Sequence, residues 1–179
     1  MAERLEEPVY EVVSSHGDFE VRRYAPTVQA RVQTARRDGG AASGGFRRIA
    51  SYIFGGNSDR SSIAMTAPVH MWEGEDSGWM AFTMPSAYTL ETLPTPNDAG
   101  VRLHPTSAAT VAVVRFSGRT TPKKTARIEQ TLRASIAREG YVAVGPAVLA
   151  VYENPWTTLP FMRRNELHLH LESPDAATP

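Results

Sequence analysis

The sequence predicts an α+β fold built from two similar halves. Each half shows alternating strand patterns, then one amphipathic helical pattern, a glycine stop and a strand that contains proline. A proline-rich connector at residues 85–100 separates the two series. Each half is too small to bury a sheet face alone, so we expect both to share one sheet or distorted antiparallel β-barrel with two helices packed outside.

The first half opens with a predicted hairpin. Apolar and polar residues alternate at residues 8–13 and 19–24, and Gly17 lies in the short turn between them. Residues 28–32 alternate again and predict a third strand.

A helix is predicted next, and Gly55 supplies its stop. Residues 63–72 then read as a strand in which Pro68 cannot donate a ladder hydrogen bond, with residues 78–84 as the hairpin partner. The helix is predicted from apolar residues that recur at i, i+3, i+4 and i+7, namely Phe46, Ile49, Ala50 and Ile53.

The second half repeats this order. Thr121 and Pro122 form a cap with proline at the first helical position, and Gly140 ends the helix, whose core side is Ile128, Leu132 and Ile136. The predicted strands are residues 101–104, 110–116, 146–152 and 165–171. We therefore expect a single domain over residues 1–172, with repeat halves at about 1–87 and 88–172 and a flexible tail at 173–179.

Composition limits the function. The 179 residues include 19 basic and 19 acidic side chains, so the net charge is zero and no overall basic surface favours nucleic acid or an anionic membrane. No segment is long and apolar enough to span a membrane, and the first residues lack a secretion-signal pattern. We expect a cytoplasmic protein without membrane insertion or nucleic-acid partner.

The chain contains no cysteine. This excludes disulfides, thiolate nucleophiles, iron–sulfur ligation and covalent or thiolate-ligated haem. The G-x-S-x-G, H-E-x-x-H, G-x-G-x-x-G and P-loop motifs are absent as well. A binding protein is therefore favoured over an enzyme.

Several strings resemble the SOUL or haem-binding-protein family, and they occur in that family's order. They extend from about residue 7 to residue 172 and comprise residues 7–12, 19–24, 63–69, 116–118 and 163–166, with Gly45-Phe46, Tyr52-Ile53 and Asn57. The resemblance implies a pseudo-twofold α+β barrel with two helices. It also implies non-covalent binding of haem, as b-type haem, or of another porphyrin in a shallow apolar groove beside the first helix.

The resemblance directs attention to the first helix, where Phe46, Ala50 and Ile53 would line the slot for the ring. Plain core packing is the alternative for these three residues. On the loop before the last strand, Trp156, Phe161 and Met162 form an apolar set that would cover the groove.

Arginine suits the propionate edge of a porphyrin because its planar fork binds a carboxylate at two points. The candidates are Arg47 and Arg48 on the first helix and Arg163 before the last strand, with solvated surface cations as the alternative. The sequence departs from its relatives where some members carry basic groups, at Ser43, Ser51 and Leu159.

No histidine is fixed as an axial ligand. His70, which follows the 63–69 string, is the candidate, against a structural role in its strand. His168 and His170 alternate with leucines and are expected to face solvent, although such a pair could also clip a metal.

We therefore expect a tetrapyrrole carrier, buffer or sensor. One alternative is an effector or interaction module for other flat hydrophobic ligands, since a related architecture serves multidrug-responsive regulators. A third is an enzyme that modifies tetrapyrroles with Glu166 or Glu11 as a general base.

Overall fold

A computed structural model describes residues 5–35, 41–153 and 158–172, with only the backbone of residues 41–43. The predicted tail at 173–179 lies outside these residues. The described elements are β1 (Tyr10–Ser15), β2 (Glu20–Tyr24), β3 (Thr27–Thr34), α1 (Ala41–Ile53), β4 (Val69–Glu73), β5 (Gly78–Thr83), β6 (Arg102–Thr106), β7 (Ala109–Phe116), α2 (Pro122–Arg138), β8 (Ala143–Val151), a 3-10 helix (Pro160–Met162) and β9 (Asn165–Leu171). The α+β class and both α-helices are thus confirmed.

The chain folds into two compact units. Unit 1 contains Pro26–Ser107 and the segment that ends at Pro8, and unit 2 contains Val9–Ala25 and the chain from Ala108 onward. In unit 1 the strands pair antiparallel in the order β4-β5-β3-β6. In unit 2 the antiparallel order is β1-β2-β7-β9-β8, so the predicted first hairpin is formed.

The two units have matching topology. In unit 1, β3 leads into α1, β4 and β5, and β5 returns to pair with β3, while β6 pairs on the other side of β3. In unit 2, β7, α2, β8 and β9 follow the same course, and β2 takes the position of β6. The first half of the sequence therefore gives β1 and β2 to unit 2, and the second half gives β6 to unit 1.

The predicted barrel is wrong. A sheet closes into a barrel only when its first and last strands pair. The end strands do not pair with each other in the described part of either unit, so both sheets stay open.

The strand predicted at residues 63–72 begins only at Val69, because the residues before it make hydrogen bonds elsewhere. The Ala67 N–H donates to the Glu6 carbonyl at 2.9 Å, and the Thr66 hydroxyl donates to the Thr83 carbonyl at 2.5 Å. These bonds fix the chain ahead of β4 without a strand ladder.

Each sheet is covered on one face by the helix of its own unit. In unit 2, the Thr121 side chain caps α2 by accepting from the Lys124 N–H, and Pro122 occupies the first turn. The core beneath α2 joins Leu132 and Ile136 to side chains of the sheet, among them Val21, Ala112 and Leu169. In unit 1, α1 covers the face that carries Ala30, Val32, Met80 and Phe82.

Candidate functional site

Helix α1 lies close against the sheet of unit 1 because its second turn contains glycine. A Cβ atom on Gly45 would come within 2.6 Å of Thr34 Cγ2, so a side chain there would push the helix away from β3. The helix ends before Gly55, whose φ of 106° suits glycine. Its inward side chains are fully buried, namely Ile49, Tyr52 and Ile53.

An apolar stripe on α1 remains partly exposed to solvent. Phe46, Ala50 and Phe54 follow one another at four-residue intervals and therefore share one side of the helix and its end. Phe46 is 41% exposed and Phe54 is 64% exposed, while Ala50 is half-buried. The Phe46 ring contacts Phe82 of β5 at a centroid distance of 5.5 Å. Exposed aromatic rings in a row mark a binding surface more often than a packing surface.

The two arginines of α1 have different surroundings. Arg48 donates from Nε and Nη2 to the Asp98 carboxylate at 2.7 and 2.8 Å. Gly100 leaves space for this pair, because a Cβ atom there would lie 1.7 Å from Arg48 Nη2. Hydrogen bonds from Arg48 and the Gly100 N–H lower the pKa of Asp98 to about 2. Arg47 is exposed, and no described carboxylate lies within ion-pair distance of it.

Two other predicted site residues, Ile53 and His70, lie away from the stripe. Ile53 is completely buried in the core of unit 1 and does not line the exposed surface. Val69 and Met71 of β4 pack toward the core under α1, so the alternation of the strand places His70 on the opposite face. His70 shares that face with Trp72. Its role as an axial ligand stays a prediction.

The remaining predicted site residues belong to unit 2. Phe161 and Met162 lie in its 3-10 helix and are 73% and 62% exposed. Arg163 follows and is half-buried. The side chains of Ser43 and Trp156 lie outside the described residues. The proposed contact of Phe161, Met162 and Arg163 with porphyrin stays a prediction.

A second cluster of chemically active side chains lies on the unit 2 sheet, on the face away from α2. Glu166 Oε2 accepts hydrogen bonds from Arg22 Nη1 at 3.0 Å, the Tyr152 hydroxyl at 2.7 Å and His168 Nε2 at 2.9 Å. Arg22 also donates from Nη1 to the Tyr24 hydroxyl at 3.1 Å. Side-chain exposure is 1% for Glu166 and 2% for Arg22, so the ion pair is buried.

The cluster keeps its charges ionised despite burial. Burial raises the pKa of Glu166, but hydrogen bonds and charge from His168, together with Tyr152 and Arg22, outweigh it and bring the pKa to about 2. Burial lowers the pKa of Arg22, yet contacts with Tyr24 and Glu166 raise it overall. Burial and the neighbouring Glu166 carboxylate raise the pKa of Tyr152. Oε2 is therefore fixed as an acceptor for three donors, and Oε1 accepts from Arg115 Nη2 at 3.5 Å.

The expectation that His168 faces solvent is wrong. Its side chain is buried against Glu166, whereas His170 is exposed as expected. Arg22 and His168 lie on strands where polar residues alternate with apolar ones, and this pattern looks the same for a solvated face and for a buried polar cluster. The available signal was complementary charge, since Glu20 and Arg22 of β2 lie on the same face as Glu166 of β9.

The described residues contain neither a cluster of metal ligands nor a membrane-spanning helix. Among the described residues, no three His, Asp or Glu side chains come together as a metal site, so the alternative of a metal clip at His168 and His170 has no third ligand there. None of the helices in the described ranges has the length and apolar character needed to cross a membrane.

Comparison with protein families gives one match. The model described as "SOUL heme-binding protein" matches residues 5–170, which include β1 and nearly all of β9. No curated protein matches the sequence.

Solved structures share the fold at low sequence identity. The C-terminal domain of EcmrR is 11% identical, with a TM-score of 0.66 over 92% of this chain and 99% of that one. A hydrolase from Listeria innocua is 11% identical, with a TM-score of 0.61 over 89% and 94%. SAV2435 bound to tetraphenylphosphonium is 12% identical, with a TM-score of 0.50 over 89% and 96%. At these identities the likeness concerns the fold alone.

Proposed function

The chain belongs to the SOUL haem-binding protein family, and from this premise we propose that it binds haem or a related tetrapyrrole on the exposed side of α1. One observation carries the choice of surface, namely the partly exposed stripe of Phe46, Ala50 and Phe54. A flat porphyrin ring needs an apolar surface of this kind together with a few polar groups at its edge.

The residues around the stripe suit such a ligand. Arg47 lies about 60° from Ala50 around the helix axis, whereas Arg48 lies on the far side of the helix from Phe46. Arg47 is therefore the cation that we assign to a propionate, and Arg48 holds the Asp98 loop instead. A charge-assisted bond of this type contributes about 1.5 to 3 kcal/mol when it is shielded from water.

Packing against the ring supplies the main binding energy in this proposal. Since His70 lies on the face of β4 away from Val69 and Met71, we expect haem and metal-free protoporphyrin to bind α1 with similar affinity. The binding is then non-covalent, as in b-type haem proteins, and needs no fixed axial ligand. The proposed roles are transport, buffering or sensing of the tetrapyrrole in the cytoplasm.

A titration tests the proposal. Purified protein is titrated with ferric haem and, separately, with protoporphyrin, while the Soret band and tryptophan fluorescence are followed. Phe46→Asp should weaken both affinities by roughly tenfold or more, because it removes apolar contact and adds a charge beside the ring. Leu90→Asp, at an apolar site of unit 1 that is 38% exposed, is the matched control. Equal affinities for the two variants would remove α1 from the site.

A second candidate function is an effector module for other bulky hydrophobic ligands. It is favoured by the shared fold of SAV2435, whose structure holds tetraphenylphosphonium, and of the EcmrR C-terminal domain. Titration with tetraphenylphosphonium separates the two functions. Saturable binding of this cation with no saturable binding of porphyrin would place the effector function first.

The enzymatic alternative depends on Glu166. Its Oε2 atom already accepts three hydrogen bonds, which suits a structural carboxylate better than a general base. Conversion of bound porphyrin that disappears in Glu166→Gln, while porphyrin affinity is kept, would support this alternative.

A further inference from the structure

Unit 2 carries an exposed apolar tip between β8 and β9. The tip consists of Leu159, Phe161 and Met162, whose side chains are 58%, 73% and 62% exposed. Three large apolar side chains this exposed within four residues are costly in water, and they indicate a surface that is covered in some functional state.

The shape of the tip indicates what covers it. Phe161 and Met162 belong to a 3-10 helix, where successive side chains project about 120° apart. A flat protein surface can therefore contact only part of the tip, and a tip of this size is far smaller than a stable protein interface. A fluid apolar phase can surround all of its side chains.

The backbone of the tip is suited to an apolar medium. The Met162 N–H donates to the Leu159 carbonyl at 2.9 Å, and the Arg163 N–H donates to the Pro160 carbonyl at 3.2 Å. Pro160 has no N–H to satisfy. Arg163 Nε also donates to the Thr158 carbonyl at 2.9 Å, which closes the turn at its base. Internal hydrogen bonds of this kind lower the cost of placing backbone among lipid chains.

Basic side chains occupy the same end of unit 2. β7 ends where β9 begins, since Phe116 pairs with Asn165, and the Asn165 amide donates to the Gly118 carbonyl at 3.0 Å. The loop after β7 and the first turn of α2 therefore lie at the same end of unit 2 as the tip. They carry the exposed Arg119 and Lys123, and the end of β7 carries Arg115, which is 57% exposed and forms an ion pair with Glu166 Oε1 at 3.5 Å.

The described acidic side chains at this end of unit 2 already form a hydrogen bond or an ion pair. Glu153 accepts the Arg164 N–H at 2.5 Å, and Glu166 is buried against Arg22. The described residues 115–124, 151–153 and 158–166 carry six basic side chains against two acidic ones, so this end of unit 2 is positive, although the whole chain has a net charge of zero. The charge balance that argues against an anionic partner for the chain as a whole does not hold for this end of unit 2.

We propose that this end of unit 2 docks on the surface of an anionic lipid bilayer. Leu159, Phe161 and Met162 enter the boundary between headgroups and acyl chains, and Arg119 and Lys123 meet the lipid phosphates. An apolar wedge with nearby cations is the combination that interfacial membrane binding requires, because each part alone gives weak attachment. This docking is peripheral and reversible.

The test uses the full chain and sedimentation with two kinds of vesicle, phosphatidylcholine alone and phosphatidylcholine mixed with phosphatidylglycerol. We expect binding to the mixed vesicles, weaker binding to the neutral ones, and loss of binding as salt is raised. Phe161→Asp should weaken binding to the mixed vesicles by roughly tenfold or more. Met162→Asp repeats the test at a second exposed position.

The matched control is Val142→Asp. Val142 is 55% exposed and precedes β8, whose first residue pairs with Leu171 at the opposite end of β9. Retained vesicle binding in this control and loss in Phe161→Asp would support the proposal. Absence of binding to mixed vesicles, or equal binding by both variants, would overturn it. Binding to a soluble polyanion such as RNA that matches vesicle binding and is unchanged in Phe161→Asp would also overturn it.

Porphyrin titration without vesicles keeps this proposal separate from the proposed function. Phe161 and Met162 are also predicted to contact porphyrin, so the separation uses the unaltered chain and Phe46→Asp. Absence of vesicle binding by the unaltered chain leaves the α1 site untouched. Loss of porphyrin binding in Phe46→Asp likewise leaves vesicle binding unchanged.

Discussion

Helices α1 and α2 occupy equivalent places in two units of matching topology, yet their outward surfaces differ. α1 leaves Phe46 and Phe54 partly exposed, whereas α2 directs Lys123, Arg127 and Arg138 to solvent. Both helices bury an apolar inner side against their own sheet. The fold therefore requires only the inner side, and the outer side of α1 is free to carry a ligand surface.

The sheets differ on the faces away from the helices as well. In unit 1 this face carries Trp72 stacked on Trp79 at 6.1 Å, with the Arg31 guanidinium 5.3 Å from the Trp72 ring. In unit 2 it carries the buried pair of Arg22 and Glu166. Unit 2 thus has a fixed polar cluster on its sheet and no apolar stripe on its helix, which indicates a structural role for the cluster.

The largest expected effect comes from breaking the unit 2 cluster. Glu166→Gln removes the buried counter-ion of Arg22, which keeps only its ion pair with the partly exposed Glu20 at 2.8 Å, and should lower the free energy of unfolding by about 3 to 5 kcal/mol. Urea unfolding of the full chain measures the change. Glu11→Gln removes one member of an exposed pair, since Glu11 is 72% and Arg23 59% exposed, and should cost less than about 0.5 kcal/mol. Equal losses in the two variants would contradict a structural role for the cluster.

Acid should destabilise the protein through the same carboxylate. The pKa of Glu166 is lowered from 4.5 to about 2, so the folded state binds its proton more weakly than the unfolded chain. This contribution to stability is complete above pH 4.5 and is lost as the pH falls toward 2. Thermal unfolding between these values should show a steeper decline in the natural sequence than in Glu166→Gln. Parallel curves for both proteins would refute the assignment.

A smaller effect is expected where only one hydrogen bond of the cluster is removed. Tyr152→Phe deletes the hydroxyl that donates to Glu166 at 2.7 Å, but it keeps the ring against the Arg164 guanidinium. The loss should be about 1.5 to 3 kcal/mol, as for a hydrogen bond to a charged group. Urea unfolding provides the value, and a loss as large as that of Glu166→Gln would mean that the ring is displaced as well.

Much of the fold could be predicted because hydrophobic period and capping residues are local signals. The cap at Thr121 and the stop at Gly55 give the helix limits, and alternation locates the strands to within a few residues. The late start of β4 at Val69 was not predictable in this way, because the hydrogen bonds of Thr66 and Ala67 go to residues distant in sequence. Barrel closure likewise depends on which strands pair, and alternation does not specify the partners.

The candidate site was predicted only in part. Helical spacing places Phe46 and Ile53 on the same side of α1, but the spacing does not tell which of them the sheet covers, and Ile53 is the buried one. The different tasks of Arg47 and Arg48 follow from the position of Asp98, fifty residues further along the chain. Burial of His168 depends on tertiary packing that alternation cannot reveal.

The most direct test of the central claim compares one alanine on each helix. Ala50 of α1 and Ala134 of α2 both lie within helices, so substitution by Asp costs similar helix propensity at the two positions. Protoporphyrin affinity is measured by tryptophan quenching for Ala50→Asp and Ala134→Asp. We expect a loss of roughly tenfold or more for Ala50→Asp and unchanged affinity for Ala134→Asp. Loss confined to Ala134→Asp, or equal affinities in both variants, would contradict the assignment of the tetrapyrrole surface to α1.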